Sequence, residues 1–257
     1  MKKIIHLSDL HMGYGDLGDR FGCIANNIIF AKQPAEQYVI VITGDIVDNA
    51  FAGSGYDEPE AHIERLRTAG YTVLVAPGNH DYGTGNLANK KYVRLFWQKL
   101  VKKPNVRYPN VDIVENIAFV GLDSMAKELH WYDALFANGE LGERQIRRLG
   151  DILNRKSVKQ CDYRVVYLHH HPFDPLPFHE LKDSKELGQM LRKCGNVDAI
   201  LYGHNHAGKK RNGTWGIARC YDAGTATRKD GSAGYHRVID LTRDARLDYD
   251  GDFHGSY

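Results

Sequence analysis

Short apolar, β-branched runs recur along this chain, and several of them are followed at once by a compact group of Asp, Asn and His. This coupling of a buried-strand signature to a polar cluster constrains the fold most, because it fixes a repeating element and the end at which its polar groups gather. The runs are Lys3 to Leu7, Tyr38 to Thr43, Tyr71 to Ala76, Ile117 to Leu122, Arg164 to Leu168, Asp198 to Tyr202, Ile217 to Tyr221 and Tyr235 to Leu241. Their length and their Val, Ile and Tyr content predict buried strands. Between them, Asp19 to Lys32, Glu58 to Ala69, Ala88 to Lys102, Glu140 to Lys156 and Ser184 to Cys194 carry helical spacing. In the fourth, Leu141, Ile146, Leu149 and Leu153 fall roughly on one face. Alternation of strands and helices predicts a layered α/β or α+β arrangement with helices packed over the sheet. No repeat or low-complexity linker divides it, so one domain over residues 1–257 is expected. Gly13 to Gly22 and Gly83 to Asn86 read as surface loops just beyond strand ends.

Composition excludes several function classes. The 257 residues are 42% hydrophobic and 26% charged, which is globular rather than disordered or fibrous. Lys+Arg 34 against Asp+Glu 32 leaves a formal charge of +2, too balanced to draw nucleic acid through its overall field. Cys23, Cys161, Cys194 and Cys220 form no Cys-x-x-Cys pair and read as reduced thiols, mostly buried. Neither a signal-peptide core nor a membrane-length apolar run is present, so a cytoplasmic protein without a membrane partner is expected.

The polar clusters are Ser8-Asp9-Leu10-His11, Gly44-Asp45-Ile46-Val47-Asp48, Gly78-Asn79-His80-Asp81, His169-His170-His171-Pro172 and Gly203-His204-Asn205-His206. In open α/β sheets the carboxyl ends of the strands share one rim, where ligands bind. A lone Asp-x-His is most often a turn in which Asp accepts local backbone hydrogen bonds; five such clusters on one rim make a site. Carboxylates, imidazoles and one amide oxygen, with no thiolate, suit divalent Mn, Fe, Zn, Co or Ni. That many ligands exceeds one ion's needs, and two ions about 3.5–4 Å apart bridged by a carboxylate suit displacement at phosphorus. Four positive charges, offset by Asp9, Asp45 and a bridging hydroxide, leave about +1 to attract an anionic ester. The other histidines, His6 and His236 in strands, His62 on a helix, and His130, His179 and His254 in polar stretches, take the ordinary reading of surface or satisfied core residues.

The ordered set Asp-x-His, Gly-Asp-x-x-Asp, Gly-Asn-His-Asp, His and Gly-His-x-His, spanning residues 9 to 206, resembles the calcineurin-like metallophosphoesterase superfamily. Gly121-Leu122-Asp123-Ser124, Gly139 to Gln145 and the His-His-His-Pro turn look like the corresponding stretches of its class III cyclic-nucleotide phosphodiesterase branch. The resemblance implies a four-layer α/β-β/α sandwich of two mixed sheets flanked by helices, with the metals at the rim where the sheets meet. It implies that Asp9, His11, Asp45 and His206 bind a first divalent ion and Asp45, Asn79, His169 and His204 a second, with Mn and Fe favoured. Of the three consecutive histidines it selects His169, first after the strand, with His170 as the fallback and His171 packing or hydrogen-bonding nearby. It makes His80 the residue that protonates the leaving oxygen or stabilises the phosphoryl charge, and Asp81 the partner that holds its tautomer. Asp48 would steady a ligand.

The expected activity is dinuclear-metal-dependent hydrolysis of a phosphodiester, cyclic nucleotides among them, or of a phosphomonoester, by attack of a hydroxide bridging the ions. The expected substrate is small and phosphorylated, a nucleotide first. A DNA nuclease of the same superfamily is disfavoured by the near-neutral charge, and a non-catalytic phosphoesterase-fold scaffold by the filled ligand positions. Pocket walls are expected from Gly13 to Gly22, Gly83 to Asn89 and Lys127 to Gly139, with Trp131, Tyr132 and Phe136 in a substrate wall or a dimer contact.

Overall fold

The computed structural model describes residues 3–31, 34–50, 55–83, 90–103, 105–125, 138–174, 180–230 and 236–251. The elements in chain order are β1 (Lys3–Leu7), α1 (Leu17–Phe30), β2 (Tyr38–Thr43), α2 (Asp57–Thr68), β3 (Thr72–Ala76) and α3 (Lys90–Phe96), which continues into a π turn at Trp97–Val101. There follow β4 (Asn110–Val114), β5 (Ile117–Gly121), α4 (Glu143–Leu153), α5 (Lys156–Lys159) and β6 (Tyr163–Tyr167). The last are α6 (Ser184–Cys194), β7 (Ala199–Tyr202), β8 (Arg219–Asp222), β9 (His236–Ile239) and β10 (Tyr249–Gly251).

Two five-stranded sheets form, ordered β10-β9-β1-β2-β3 and β4-β5-β6-β7-β8. In the first, β1, β2 and β3 are parallel, with Ile5 opposite Ile40 and Ile40 opposite Val73, while β9 and β10 run antiparallel. In the second, β5 to β8 are parallel and β4 is the antiparallel edge. Strand alternation explains the layering. In β2, Tyr38, Ile40 and Ile42 pack with Phe21, Ile28, Ile63 and Leu66 of α1 and α2, while Val39 and Val41 face the other sheet. In β6 and β7, Val166, Ile200 and Tyr202 meet Leu149, Leu153, Leu187 and Leu191 of α4 and α6. Val165, Tyr167, Ala199 and Leu201 meet Ile4, Val39 and Ile239 between the sheets. The result is helix, sheet, sheet, helix, the four-layer sandwich implied by the resemblance. Each fully buried Val, Leu or Ile contributes about 1.5–3 kcal/mol, and both faces of both sheets are lined with them. The carboxyl ends of the parallel strands of both sheets meet at one rim.

Differences from the sequence reading are local. Gly18 and Gly22 lie inside α1, not in a surface loop, because a Cβ at either would collide with Glu58 or His62 of α2; the glycines let the helices touch. Strands β4 and β10 went unrecognised: Asn110-Val111-Asp112-Ile113-Val114 is a half-buried edge with a broken apolar pattern, and Tyr249–Gly251 has three residues. Ile217 closes a turn onto the Thr214 carbonyl, so β8 begins only at Arg219. Residues 84–89, 126–137, 175–179, 231–235 and 252–257, including His130, Trp131, Tyr132, Phe136, His179 and His254, lie outside the described residues. Among the described residues no helix is long and apolar enough to cross a membrane. All four cysteines are free, Cys161 and Cys220 buried, Cys194 partly so and Cys23 exposed.

Candidate metal centre

Every polar cluster marked in the sequence ends a parallel strand at this rim. Asp9 and His11 follow β1, Asp45 follows β2, Asn79 and His80 follow β3, His169 follows β6, and His204 and His206 follow β7. Three donor groups result, each with ligand atoms within 4.8 Å of one another: Asp9, His11 and His206; His11, Asp45 and His80; and Asp45, His169 and His204. Asp45 belongs to two of them.

The buried part is organised around His169. Its Nδ1 lies 2.7 Å from the Thr43 carbonyl, an acceptor, so this nitrogen carries the proton and Nε2 presents a lone pair. Within 3.1–3.2 Å of that Nε2 stand Asn79 Oδ1, Asp45 Oδ2 and His204 Nδ1. At the other end, His206 Nε2 is 3.1 Å from Asp9 Oδ1 and 3.3 Å from His11 Nε2, while His11 Nδ1 faces Asp48 Oδ1 at 3.5 Å. Lone pairs converging at these separations repel unless something positive sits among them. The spacings match donors at about 2.0–2.2 Å from a shared ion, and a backbone carbonyl or carboxylate on the outer ring nitrogen is the usual support of a metal-bound imidazole. The donor set therefore fits divalent metal.

The charges agree. Burial opposes ionisation of Asp9 and Asp45, but His206 and His169 respectively overcome it and hold both carboxyls below the usual range. Burial also opposes charge on His169, yet the Asp45 carboxylate wins and raises its pKa to about 9, so without metal a proton supplies the missing positive charge. Burial lowers His11 to about 4.

The backbone is bent to make this possible. Asp9, His11, Asp45, His204 and His206 all have positive φ, between 45° and 77°, five of the eight non-glycine residues so described. Such conformations cost about 1 kcal/mol or more each and persist where the surroundings impose them. The glycines before the ligands serve close approach: a Cβ on Gly78 would collide with Asp45 Oδ1, and one on Gly203 with Ser8 Oγ and Asp9 Oδ2.

One sequence expectation changes. Asp81 does not hold the His80 imidazole. Its buried carboxylate accepts from the amides of Gly78 (2.9 Å), Ile46 and Val47 (both 3.4 Å) and from Tyr56 OH (3.2 Å), clamping the Asp45 and Asn79 turns together. Burial and then the charge of Asp45 raise its pKa to about 7. His80 Nδ1 is held instead by the Asp48 carbonyl, leaving Nε2 3.8 Å from Asp45 Oδ2 and the ring edge-on to His11. The side chain is too short to reach its neighbour once the 3-10 turn His80–Tyr82 points successive residues apart. His170 turns from the donor groups, its Nδ1 2.7 Å from Ser124 Oγ, and His171 packs on Tyr202 and Phe173.

A model of the calcineurin-like phosphoesterase family matches residues 2–208. The chain belongs to that family. Over 224 residues, 83% of this chain and 72% of the relative, it is 26% identical to the 3′,5′-cyclic adenosine monophosphate phosphodiesterase CpdA of Haemophilus influenzae. Among solved structures, a dimetal phosphatase from Danio rerio aligns over 98% of this chain and 99% of its own with a TM-score of 0.64 at 13% identity. GAP50, titled the anchor in the inner membrane complex of Plasmodium, aligns over 98% and 88% with a TM-score of 0.56 at 11% identity. These two show the shared fold. Family membership and the three donor groups make this calcineurin-like phosphoesterase a metal-dependent phosphoric ester hydrolase.

The sequence reading missed residues that complete the rim. Tyr56 braces Asp81, and Gln145 exchanges two hydrogen bonds with the backbone of Asp123, beside Ser124 and its partner His170. Thr225, Thr227, Arg228 and Lys229, just past β8, lie beside His11 and His206. The signal was available for the last group, since it too is a polar cluster at a strand end.

Proposed function

We propose that this protein is a dinuclear phosphodiesterase for small phosphorylated molecules, nucleotides in particular, acting from one domain that spans residues 1–257. Asp9, His11, Asp45 and His206 would hold one ion and Asp45, Asn79, His169 and His204 the other. The observation that carries the reading is Asp45, whose carboxylate stands within reach of both His169 and the His11–His80 group. Core residues shared by both sheets support a single domain, and four free thiols suit a cytoplasmic setting. Likeness to a cyclic-nucleotide phosphodiesterase favours diesters over monoesters. Manganese or iron is the favoured pair for an oxygen and nitrogen donor set.

Two divalent cations, when bound, supply the Lewis acidity and the activated nucleophile that displacement at phosphorus needs. The chain's own residues do the rest. Asp81 fixes the turns that carry Asp45 and Asn79, so their side chains are pre-set before substrate arrives. His80 is locked through Nδ1 to the Asp48 carbonyl, which leaves Nε2 as the atom that faces the departing oxygen and through which the imidazolium form gives it a proton. A scaffold reading, to which GAP50 is a reminder because the fold alone does not specify catalysis, would leave the seven filled ligand positions without a purpose.

The test is a panel of cyclic nucleotides, mononucleotides, simple diesters and DNA assayed with manganese. The expected result is diester hydrolysis abolished by chelation. His80→Ala should keep its metal and lose about 10²–10⁴-fold in turnover; wild-type turnover by that variant would remove His80 from the mechanism.

A further inference from the structure

We propose that the segment Thr225–Lys229 forms an anion subsite on the His11 and His206 flank of the metal centre, with Arg228 as its binding residue, so that the enzyme prefers phosphoesters bearing a second negative group beside the scissile one. This rests on the phosphoesterase reading and adds the charge pattern of the substrate.

Beyond β8 the chain is strapped to the loop that carries Asp9 and His11. Ala226 N donates to the Ser8 carbonyl at 2.9 Å, Thr225 Oγ1 to the Asp9 carbonyl at 2.8 Å, and Thr227 Oγ1 to the Leu10 carbonyl. Thr225 and Thr227 are 5% and 2% exposed, so these are buried anchors that fix where residue 228 stands. A cavity of about 250 Å³ opens there, lined by His11, His206, Thr225, Thr227, Arg228 and Lys229. Asp230 also lines it and is the one acid among its described lining residues.

The two cations differ. Lys229 is committed: its Nζ is 2.7 Å from Asp48 Oδ1 and 4.3 Å above the Tyr14 ring, and Asp48 in turn faces His11 Nδ1. Lys229 is thus engaged by the carboxylate nearest His11. Arg228 has no ion pair among the described residues, and its Nε is buried without a hydrogen-bond partner. A buried donor left unmade is costly, and an oxyanion entering the cavity would satisfy it. The guanidinium fork suits a phosphate or carboxylate.

Position decides which anion. Arg228 shares its cavity with His11 and His206 and with none of Asn79, His169 and His204. It belongs to none of the three donor groups. The charge of the reacting phosphoryl group is matched among those groups, so a guanidinium off to one flank meets the next negative group along the substrate. A simple cyclic nucleotide, with a single negative charge, leaves it unused.

The experiment compares thymidine 5′-phosphate with thymidine 3′,5′-bisphosphate by calorimetry on the manganese-loaded protein, and the p-nitrophenyl ester of thymidine 5′-phosphate with the same ester carrying a 3′-phosphate by kinetics. Wild type should bind the bisphosphate about tenfold tighter than the monophosphate and prefer the second ester by a similar factor, through KM. Arg228→Met should reduce both preferences to less than about twofold, and Arg228→Lys should restore part of them. Equal binding of both nucleotides by wild type, or full preference kept by Arg228→Met, overturns the subsite while leaving the hydrolase intact. A wild type that binds neither nucleotide and hydrolyses neither ester overturns the subsite and the phosphoesterase reading together.

Discussion

The two ends of the proposed metal centre are built differently. Around His169 the centre is enclosed: its side chain is 0% exposed, that of Asp45 is 3%, and the ring is tied to the Thr43 carbonyl of the opposite sheet, with Asn79 and His204 half-buried beside it. At the other end Asp9 is equally buried, but the His206 side chain, 44% exposed, stands at the mouth next to the cavity of Arg228. One end is the more enclosed, set between the sheets; the other opens to solvent at His206. Each end combines Asp45 with two imidazoles, joined by Asp9 at one end and the neutral Asn79 at the other, and the unequal burial implies unequal exchange: the more enclosed ion should be held by surroundings that relax little, the outer one by His206, which is free to swing away.

The largest test removes the element both ends share. Asp45→Asn should bring metal content from about two per chain to below one and lower turnover about a thousandfold or more, read by elemental analysis and diester hydrolysis; two retained ions would end the bridging assignment. Next, His169→Ala and His206→Ala should separate the ends. The first should cost at least about a hundredfold in affinity for the enclosed ion, the second less and only for the outer one, seen as a lost slow phase and a lost fast phase in chelator-driven metal release. Identical release by both variants would show that the two ends do not differ.

A smaller effect is expected from Asp81→Ala, which leaves the buried amides of Gly78, Ile46 and Val47 without their acceptor. Stability should fall by about 3 kcal/mol in denaturant titration, and both ends should loosen because one carboxylate clamps both turns. Smallest is a pH effect led by the enclosed end, to which His206, raised against its burial by Asp9, adds a loss of the same sign. In the metal-free protein the folded pKa of His169 lies near 9, above its ordinary 6.5. Its stabilising contribution is therefore complete below pH 6.5 and disappears as pH rises through 9, a loss of at most about 3 kcal/mol. His11 and His171, both held near 4, are already neutral across that window, while Asp81, raised to about 7, adds a loss of the same sign at its lower edge. The melting temperature of the stripped protein should fall between pH 6.5 and 9, and the metal-loaded protein should not follow it, since a cation replaces the proton.

Much of this was legible in the chain itself. Tyr38–Thr43 and Ser184–Cys194 emerge with the boundaries their apolar periodicity indicates, because burial on one or both faces leaves a repeating mark in sequence. The edge strand Asn110–Val114 left none, being half exposed, and Gly18 and Gly22 misled because a glycine chosen for helix contact looks like one chosen for a turn.

The sequence by itself determined the donor inventory and its placement at strand ends, since both are properties of residue type and order along the chain. Only tertiary structure decided which of three adjacent histidines faces the donor groups, that Asp81 clamps backbone while Asp48 holds His80, and that Arg228 arrives beside His11 with a donor unmade. The reason is geometric: ring orientation and hydrogen-bond choice depend on atoms brought near from 32 to 216 residues away, and local order carries no record of them.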